Sequence, residues 1–383
     1  MYVTRPLSLY YNSPTAAAEP PPEGPSSGIL VVNDEQTTEK RAACCWGLFN
    51  TYRLHDLPFP QNKMIEVRYT TRLGLSHQTY SDDVFFVPVI DQPLSSNRYY
   101  VIRAHGKGKG KACTCSKQEG ATTCCFCTLP HDIEPTTFDH NDIYQQVEII
   151  QTHRKRFYAK SIASDGIPPQ FLRTRGWRAY AFEPSNFSLG EAQGLNSILR
   201  SQMPDQFSSS TVVGKWYIPS VFVKEGDVLN DKMRKPMFYE MTLEQYWEEI
   251  YACENDSHEG NVVEVGVNVI REFALLNGRE NVKGDIEMKD GFIYFEPVNS
   301  VGNGLGLNLI IWERMRWEEE RGGWVSGEKM ERVEREEIYE GEREWKKYDC
   351  YLLVERFVLK RMNGSVALTC EFKHTNKIRS KWV

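Results

Sequence analysis

The sequence predicts an α+β, β-rich fold of antiparallel sheets whose C-terminal half is a hairpin meander. Three observations carry that expectation. Short β-branched and aromatic runs, at 29–32, 84–90 and 99–102, are separated by clusters of Gly, Pro, Asn and Ser. Asn-Gly or Asp-Gly dipeptides recur at 277–278, 290–291, 303–304 and 363–364. These are the residues that type I′ hairpin turns require, because both central positions take a positive φ. The strand registers imposed by those turns also agree with one another.

Composition sets the outer limits. The chain has 383 residues, 46 Lys+Arg against 52 Asp+Glu, a net charge of -6 and 40% hydrophobic residues with nine tryptophans. Such a chain buries a core and is not a disordered tail. Its acidic balance argues against a dedicated binder of nucleic acid or of anionic membranes. The length suggests two domains.

Along the chain, six prolines between Pro6 and Pro25 predict an extended Pro-rich arm over 1–27. A β-rich domain is expected over 28–200. At an offset of 80 residues, Cys44-Cys45-Trp46 matches Cys124-Cys125-Phe126, Val67 matches Val147, Arg98 matches Arg178 and Tyr100 matches Tyr180. Two repeats of about 80 residues would account for this. The polar stretch 201–210 reads as the boundary, and 211–383 as an antiparallel meander.

Within that meander, folding about Asn277-Gly278 sets Val269 opposite Ile286, Phe273 opposite Val282 and Glu272 opposite Lys283. The Asp290-Gly291 turn sets Met288 opposite Ile293 and Ile286 opposite Phe295, and the third turn brings Phe295 to Trp312. One apolar row, Val269, Ile286, Phe295 and Trp312, would then cross four strands. The fourth turn pairs Leu359 with Leu368, Phe357 with Cys370 and Arg356 with Glu371. Helix competes with strand over 309–321 and over 242–252, where Thr242 and Gln245 make a capping-box pattern. From Glu313 to Lys347 there are 12 acidic and 9 basic residues, which predicts an exposed strand end and then a charged loop over 322–344.

Several segments are specific enough to carry a resemblance. They are Met1-Tyr2-Val3-Thr4-Arg5-Pro6, Asp56-Leu57-Pro58-Phe59-Pro60, Asn97-Arg98-Tyr99-Tyr100, Cys124-Cys125-Phe126-Cys127, Gly214-Lys215-Trp216-Tyr217 and Met237-Phe238-Tyr239-Glu240. Together they resemble a plant family known as a domain of unknown function (number 1262), over nearly the whole chain. The resemblance implies an intracellular plant protein without an assigned reaction, cofactor or catalytic residue, with stress or defence as its setting.

The N-terminal residues lack a signal-peptide pattern and no apolar run approaches ~18 residues, so the expected address is the cytoplasm. Thiols stay reduced there. The densest chemistry lies between His105 and His131. Cys113, Cys115, Cys124 and Cys127 could supply four thiolates to a tetrahedral zinc, the one cofactor the sequence suggests. The alternatives are reduced core thiols, or S-acylation at Cys44-Cys45 or Cys124-Cys125. In the Gly-rich loop 105–111, Lys107, Lys109 and Lys111 could bind an anion. The loop lacks Walker spacing, and its competing reading is a solvated hairpin tip. The dipeptides His55-Asp56 and His131-Asp132 read as turns or Asx caps rather than catalytic dyads.

No coherent catalytic set emerges. The expected function is non-catalytic binding of a protein partner. The alternatives are a Cys/His-dependent enzyme and a membrane-active or lipid-binding β protein. Nucleic acid is not expected as a partner, and membrane contact only through S-acylation or strand insertion.

Overall fold

A computed structural model of the chain describes residues 1–37, 51–73, 76–118, 122–124, 127–129, 131–183, 187–225, 236–255, 260–282, 287–298 and 304–383. Strands dominate and their pairing is mostly antiparallel, as the sequence predicts. No helix among these residues is long and apolar enough to cross a membrane. The chain divides into two units. The first comprises Met1–Ala192, Tyr217–Val223 and Arg234–Phe238, and the second Gln193–Trp216, Lys224–Met233 and Tyr239–Val383. The polar stretch 201–210 therefore lies inside the second unit.

In the first unit, seven strands form one sheet. Its order is Phe157–Ser161, Gln146–Gln151, Arg98–Arg103, Ser76–Pro88, Met64–Leu73, Arg178–Phe182 and Thr51–Leu54. An isolated bridge, Phe157 to Trp177, joins the first of these to the residue that leads into the sixth. The inward residues Ile65, Val67, Phe86, Tyr99, Val101, Val147, Ile149, Phe157, Trp177 and Ala179 share one buried core. Phe59 sits in its middle, 4.9 Å from the ring of Phe86 and 5.1 Å from that of Phe157.

The residues that match at an offset of 80 occupy related places in this sheet. Glu66, Val67 and Arg68 pair with Tyr180, Ala179 and Arg178. Gln146, Val147 and Glu148 pair with Tyr100, Tyr99 and Arg98. Each pairing becomes the other when every residue moves by 80 and the two sides exchange. The Cys44-Cys45-Trp46 part of that match lies outside the described residues.

The Pro-rich segment is not an arm. Tyr2–Pro6 is a strand that pairs in parallel with Gly28–Val32 and, at Tyr2, antiparallel with Tyr217. Pro6 then caps the helix Leu7–Asn12, and Pro14 opens a 3-10 turn, Pro14–Ala18. Pro6 and Pro14 sit at element ends, where a missing N–H costs nothing. In the same segment Tyr2, Val3, Leu7 and Tyr10 are buried.

In the second unit, long strands lie side by side. Phe238–Glu254 pairs with Lys347–Arg361 along its whole length, and Lys347–Arg361 pairs in turn with Val366–Trp382. The competing helix over 242–252 is thus excluded. The alternation of Met241, Leu243 and Trp247 on one face prevails over the local capping pattern. The fourth turn folds in the predicted register, with Leu359 opposite Leu368, Phe357 opposite Cys370 and Arg356 opposite Glu371. The Asp290-Gly291 turn does the same for Met288 and Ile293.

The four-strand apolar row does not form. Leu309–Arg321 is a helix, started by Asn308, whose side chain accepts from the Ile310 amide at 3.2 Å. Ile311, Met315 and Glu319 recur at helical spacing on its buried face. Phe295 pairs with Leu305 rather than Trp312, and its ring meets Trp312 at 5.6 Å from the helix. Val269 pairs with Glu331. About Asn277-Gly278 the register slips by one, with Leu276 opposite Glu280. Ile286, Lys283 and Asn303 lie outside the described residues. The predicted charged loop over 322–344 contains a strand, Met330–Ile338, which pairs with Val262–Ile270. Arg332, Glu334 and Glu336 face outward, while Val333 on the other face joins Val269, Leu352 and Val354 in a buried cluster.

Gly364 tests the best-predicted turn. Its φ is +84°, and an added Cβ would meet nothing within 4 Å. Gly364→Ala should therefore cost about 1 kcal/mol from backbone strain alone, and Gly364→Asn less. Chemical denaturation checks this, and equal midpoints for all three chains would show that the turn does not hold the hairpin.

Candidate functional site

The alternation that builds the long strands of the second unit is broken at one place on each. Gln245 stands where Leu243 and Trp247 would predict an apolar residue, Glu355 stands between Leu353 and Phe357, and His374 follows Leu368, Cys370 and Phe372. Register makes Gln245 and Glu355 direct partners and sets His374 opposite Leu353, two residues along. Three polar side chains therefore form a patch inside an apolar face. All three are buried.

Two helices complete the cluster. Ser197–Gln202, capped by Asn196, contributes Arg200, and Leu309–Arg321 contributes Glu318 and Glu319. Arg200 Nε donates to Glu355 Oε1 at 2.9 Å, and its Nη2 meets Glu355 Oε2, a two-pronged pair. Nη1 of the same guanidinium donates to the Glu318 carbonyl at 2.9 Å, and Nη2 lies 3.4 Å from Glu319 Oε1. Gln245 Nε2 donates to Glu355 Oε1 at 2.6 Å. His374 Nε2 lies 3.1 Å from Glu319 Oε2 and 3.2 Å from Glu355 Oε2. Gly322 is required beside this group, since an added Cβ would fall 2.1 Å from Arg200 Nη2.

Electrostatics assign the protons. Burial pushes Glu319 well above the usual carboxylate range, and the neighbouring Glu355 charge adds to the rise. Burial acts on Glu355 in the same direction, but hydrogen bonds from Arg200 and His374 overcome it and hold Glu355 well below that range. Burial lowers His374 against the opposing pull of Glu355. The resting cluster is thus Arg200 charged, Glu355 ionised, Glu319 protonated and His374 neutral. With Nε2–H directed at two carboxyl groups, Nδ1 is the bare nitrogen, and it has no hydrogen-bond partner among the described residues.

Glu319, Glu355 and His374 have the residue types of a metal site, with ligand atoms within 4.8 Å of one another. A metal does not fit them as they stand. The guanidinium of Arg200 already holds the Glu355 oxygen that faces His374, so a cation would have to displace a buried positive charge. Their side chains are 0% exposed, which leaves the carboxyl pair no contact with solvent. The arrangement clamps two helices to a sheet.

The sites expected from sequence lie in the first unit. Cys113 and Cys115 are buried in its apolar core, where burial pushes their thiols up to about 12 and about 11. Cys124 and Cys127 face each other across a short hairpin, Thr122–Cys124 with Cys127–Leu129, and their side chains lie outside the described residues. In the 105–111 loop, the amides of Lys109, Gly110 and Lys111 donate to the carbonyls of Gly106, Arg103 and Gly108. They are not directed at an outside anion. Lys107 Nζ pairs with Glu134 at 3.0 Å, both well exposed. Asp132 accepts from the Gln170 amide at 2.7 Å, a contact between segments 38 residues apart rather than a local Asx turn.

A family model described as "Protein of unknown function (DUF1262)" matches residues 23–126. The resemblance seen in the sequence is thereby supported over that stretch. No curated protein matches the chain. Among solved structures, the chain is similar to that titled "Crystal structure of Cry35Ab1". The TM-score is 0.44 at 11% identity, covering 85% of this chain and 90% of that one. Another, "Crystal structure of Lamprey immune protein", has a TM-score of 0.15 at 8% identity, covering 88% and 99%.

Nothing in the sequence order points to Arg200, which lies 155 residues from Glu355. Polar residues inside apolar alternation were the available signal for Gln245, Glu355 and His374. Removing one member of the buried pair, as in Arg200→Met, should destabilise the chain by about 3–5 kcal/mol, whereas Arg200→Met with Glu355→Leu should recover much of the loss. A double variant as unstable as the single one would remove Arg200–Glu355 as the organising pair.

The two titrations oppose each other. His374, with its pKa lowered, contributes stability above about pH 6.5 that is lost as pH falls. Glu319, with its pKa raised, contributes stability below about pH 4.5 that is lost as pH rises. Between these pH values the two effects oppose each other in the native chain. Glu319→Gln should therefore lose stability on going from about pH 6.5 to about pH 5, and His374→Gln should gain it, by up to ~1.4 kcal/mol per pH unit. Denaturation midpoints across that window decide it, and parallel slopes in both variants would contradict the assignment.

Proposed function

We propose that the chain acts as a soluble, cytoplasmic, non-catalytic binding protein whose partner is another macromolecule. One observation carries this reading. Among the described residues, the paired core thiols Cys113 and Cys115 of the first unit and the Glu319, Glu355 and His374 cluster of the second are sealed in cores, while the exposed histidines, such as His55, His105 and His153, stand on turns and loops. The chemistry left at the surface is recognition chemistry, chiefly arginine, tyrosine and threonine on the outer strands of the first unit. Raised thiol pKa values also oppose the Cys/His-dependent alternative, which needs thiolate. The resemblance to a plant family makes stress or defence the setting of the same proposal.

A second reading, membrane association through β-strands, is favoured by the ribbon Val262–Ile270 with Met330–Ile338. Its inner face carries Val263, Val265, Val269 and Val333 interrupted by Glu331, Arg335 and Glu337, and its outer face sets the exposed Val262, Ile270, Met330 and Ile338 beside Glu264, Glu334 and Glu336. Co-sedimentation with neutral phosphatidylcholine vesicles tests it, since a binding protein without strand insertion stays in the supernatant.

Brief treatment of the folded chain with iodoacetamide should leave Cys113 and Cys115 unmodified, and unfolding should expose both to the reagent. Peptide mapping reads the outcome. Rapid labelling of either thiol in the folded chain, together with robust turnover and no partner in reciprocal pull-downs, would defeat the binding reading.

A further inference from the structure

The first unit carries a cationic surface that the net charge of -6 conceals. The turn Thr152 to Arg156 is closed by the Thr152 amide donating to the Arg156 carbonyl at 2.7 Å and the Lys155 amide to the Thr152 carbonyl at 3.0 Å. It presents His153, Arg154, Lys155 and Arg156 in succession. The Phe157 amide donates to the Trp177 carbonyl and the Gly176 amide to the Phe157 carbonyl, each at 3.0 Å. This brings the turn beside Arg175 and Arg178. Arg156 Cδ lies only 3.5 Å from where a Cβ on Gly176 would stand. Arg178 is the direct strand partner of Arg68. On the other side, Arg53 Nη2 donates to the Lys155 carbonyl at 3.1 Å.

Strand alternation turns these side chains outward. Ala179, Val67, Leu54 and Phe157 are buried, so Arg178, Arg68, Arg53 and Tyr158 occupy the outer face. Tyrosines hold two of the arginines in place. The Arg175 guanidinium lies 5.2 Å from the Tyr158 ring centre, and that of Arg68 lies 4.2 Å from the Tyr180 ring centre. Two carboxylates answer this charge, Asp56 at 3.4 Å from Lys155 and Glu66 at 2.6 Å from Arg68. Among the described residues, no carboxylate pairs with Arg154, Arg156, Arg175 or Arg178.

Resting on the binding reading above, we propose that this face is a site for clustered phosphate groups, such as a polyphosphorylated inositol. Six arginines and one lysine converge there with two carboxylates among them, an excess that a single carboxylate ligand would not balance. A phosphomonoester brings about −1.5 to −2 charges and three acceptor oxygens. Guanidinium forks bind such groups bidentately, which lysine does not. Nucleic acid is the weaker match, because Arg175 and Arg68 lie against the tyrosine rings on which bases would stack.

The test uses the full chain and two carriers of the same chemistry: inositol hexakisphosphate by calorimetry, and phosphatidylcholine vesicles with roughly 5 mol % phosphatidylinositol bisphosphate by co-sedimentation. At least one should bind, more weakly as salt rises. Arg154→Ala with Arg156→Ala, and Arg175→Ala with Arg178→Ala, should each weaken binding at least about tenfold. The lysine versions should recover only part of the loss, because they keep charge and lose the fork. Circular dichroism and thermal midpoints close to the native chain confirm that these surface variants fold. Binding to the soluble probe assigns a soluble ligand, and binding to the vesicles alone assigns a headgroup.

Native-strength binding by the alanine variants overturns the site. So does full recovery by lysine, or tighter and equally mutation-sensitive binding of single-stranded RNA. If neither probe binds while reciprocal pull-downs still identify a protein partner, the phosphate site fails and the binding reading stands.

Discussion

An ionised carboxylate cannot be left alone in a protein interior, and the second unit is arranged around that constraint. Desolvating Glu355 costs several kcal/mol, and only a partner with matching geometry offsets it. Arg200 supplies that partner from a helix far away in sequence, approaching both oxygens. Once the guanidinium is there, its remaining donors are satisfied by the Glu318 carbonyl and the Glu319 side chain, which fixes where the Leu309–Arg321 helix ends. Gly322 follows from the same contact. The cluster adds little net stability over a well-packed apolar equivalent, but it penalises every arrangement in which one charge loses its partner. Its effect is on which structure forms.

That penalty acts on strand register. A slip of one residue between Lys347–Arg361 and either neighbour would carry Glu355 to the opposite face, away from Gln245 and His374, and leave Arg200 buried without a counterion. Apolar residues alone would discriminate less sharply, because Val, Leu and Phe on neighbouring positions of these strands tolerate one another. The long strands therefore combine two specifications. The Asn363-Gly364 turn sets the local register of the last hairpin, and the buried polar patch fixes the strands far from any turn.

Legibility in the sequence follows the range of the interaction. The register about Asn363-Gly364 was readable because a two-residue turn and its flanking pairs are adjacent in sequence. The 309–321 segment reads both ways, because strand pairing extended through a third turn competes with the helical spacing of Ile311, Met315 and Glu319. Met330–Ile338 was hidden by its charges, since period-2 burial of Val333 alone leaves a weak signal in a segment rich in Glu and Arg. The polar interruptions at Gln245, Glu355 and His374 were visible as letters, but their meaning depended on Arg200, which no spacing rule connects to them. The cationic face of the first unit is a similar case. The run His153 to Arg156 and the pair Arg175 and Arg178 are separate in sequence, and one bridge between Phe157 and Trp177 brings them together.

The two sets of charges differ in how completely the protein neutralises them, and that difference separates structure from recognition. In the buried cluster of the second unit Arg200 and Glu355 match each other's charge, and a proton is retained on Glu319, as burial demands. On the outer face of the first unit water screens the arginines, so folding does not require partners for them, and four pair with no carboxylate among the described residues. Holding guanidinium groups close together still costs repulsion, most directly where Arg178 and Arg68 stand opposite each other on neighbouring strands. Tyr180 and Glu66 reduce that cost without removing the excess. Folding would be served as well by neutral residues at these positions, so the excess charge is better explained by something outside the chain that carries the opposite sign.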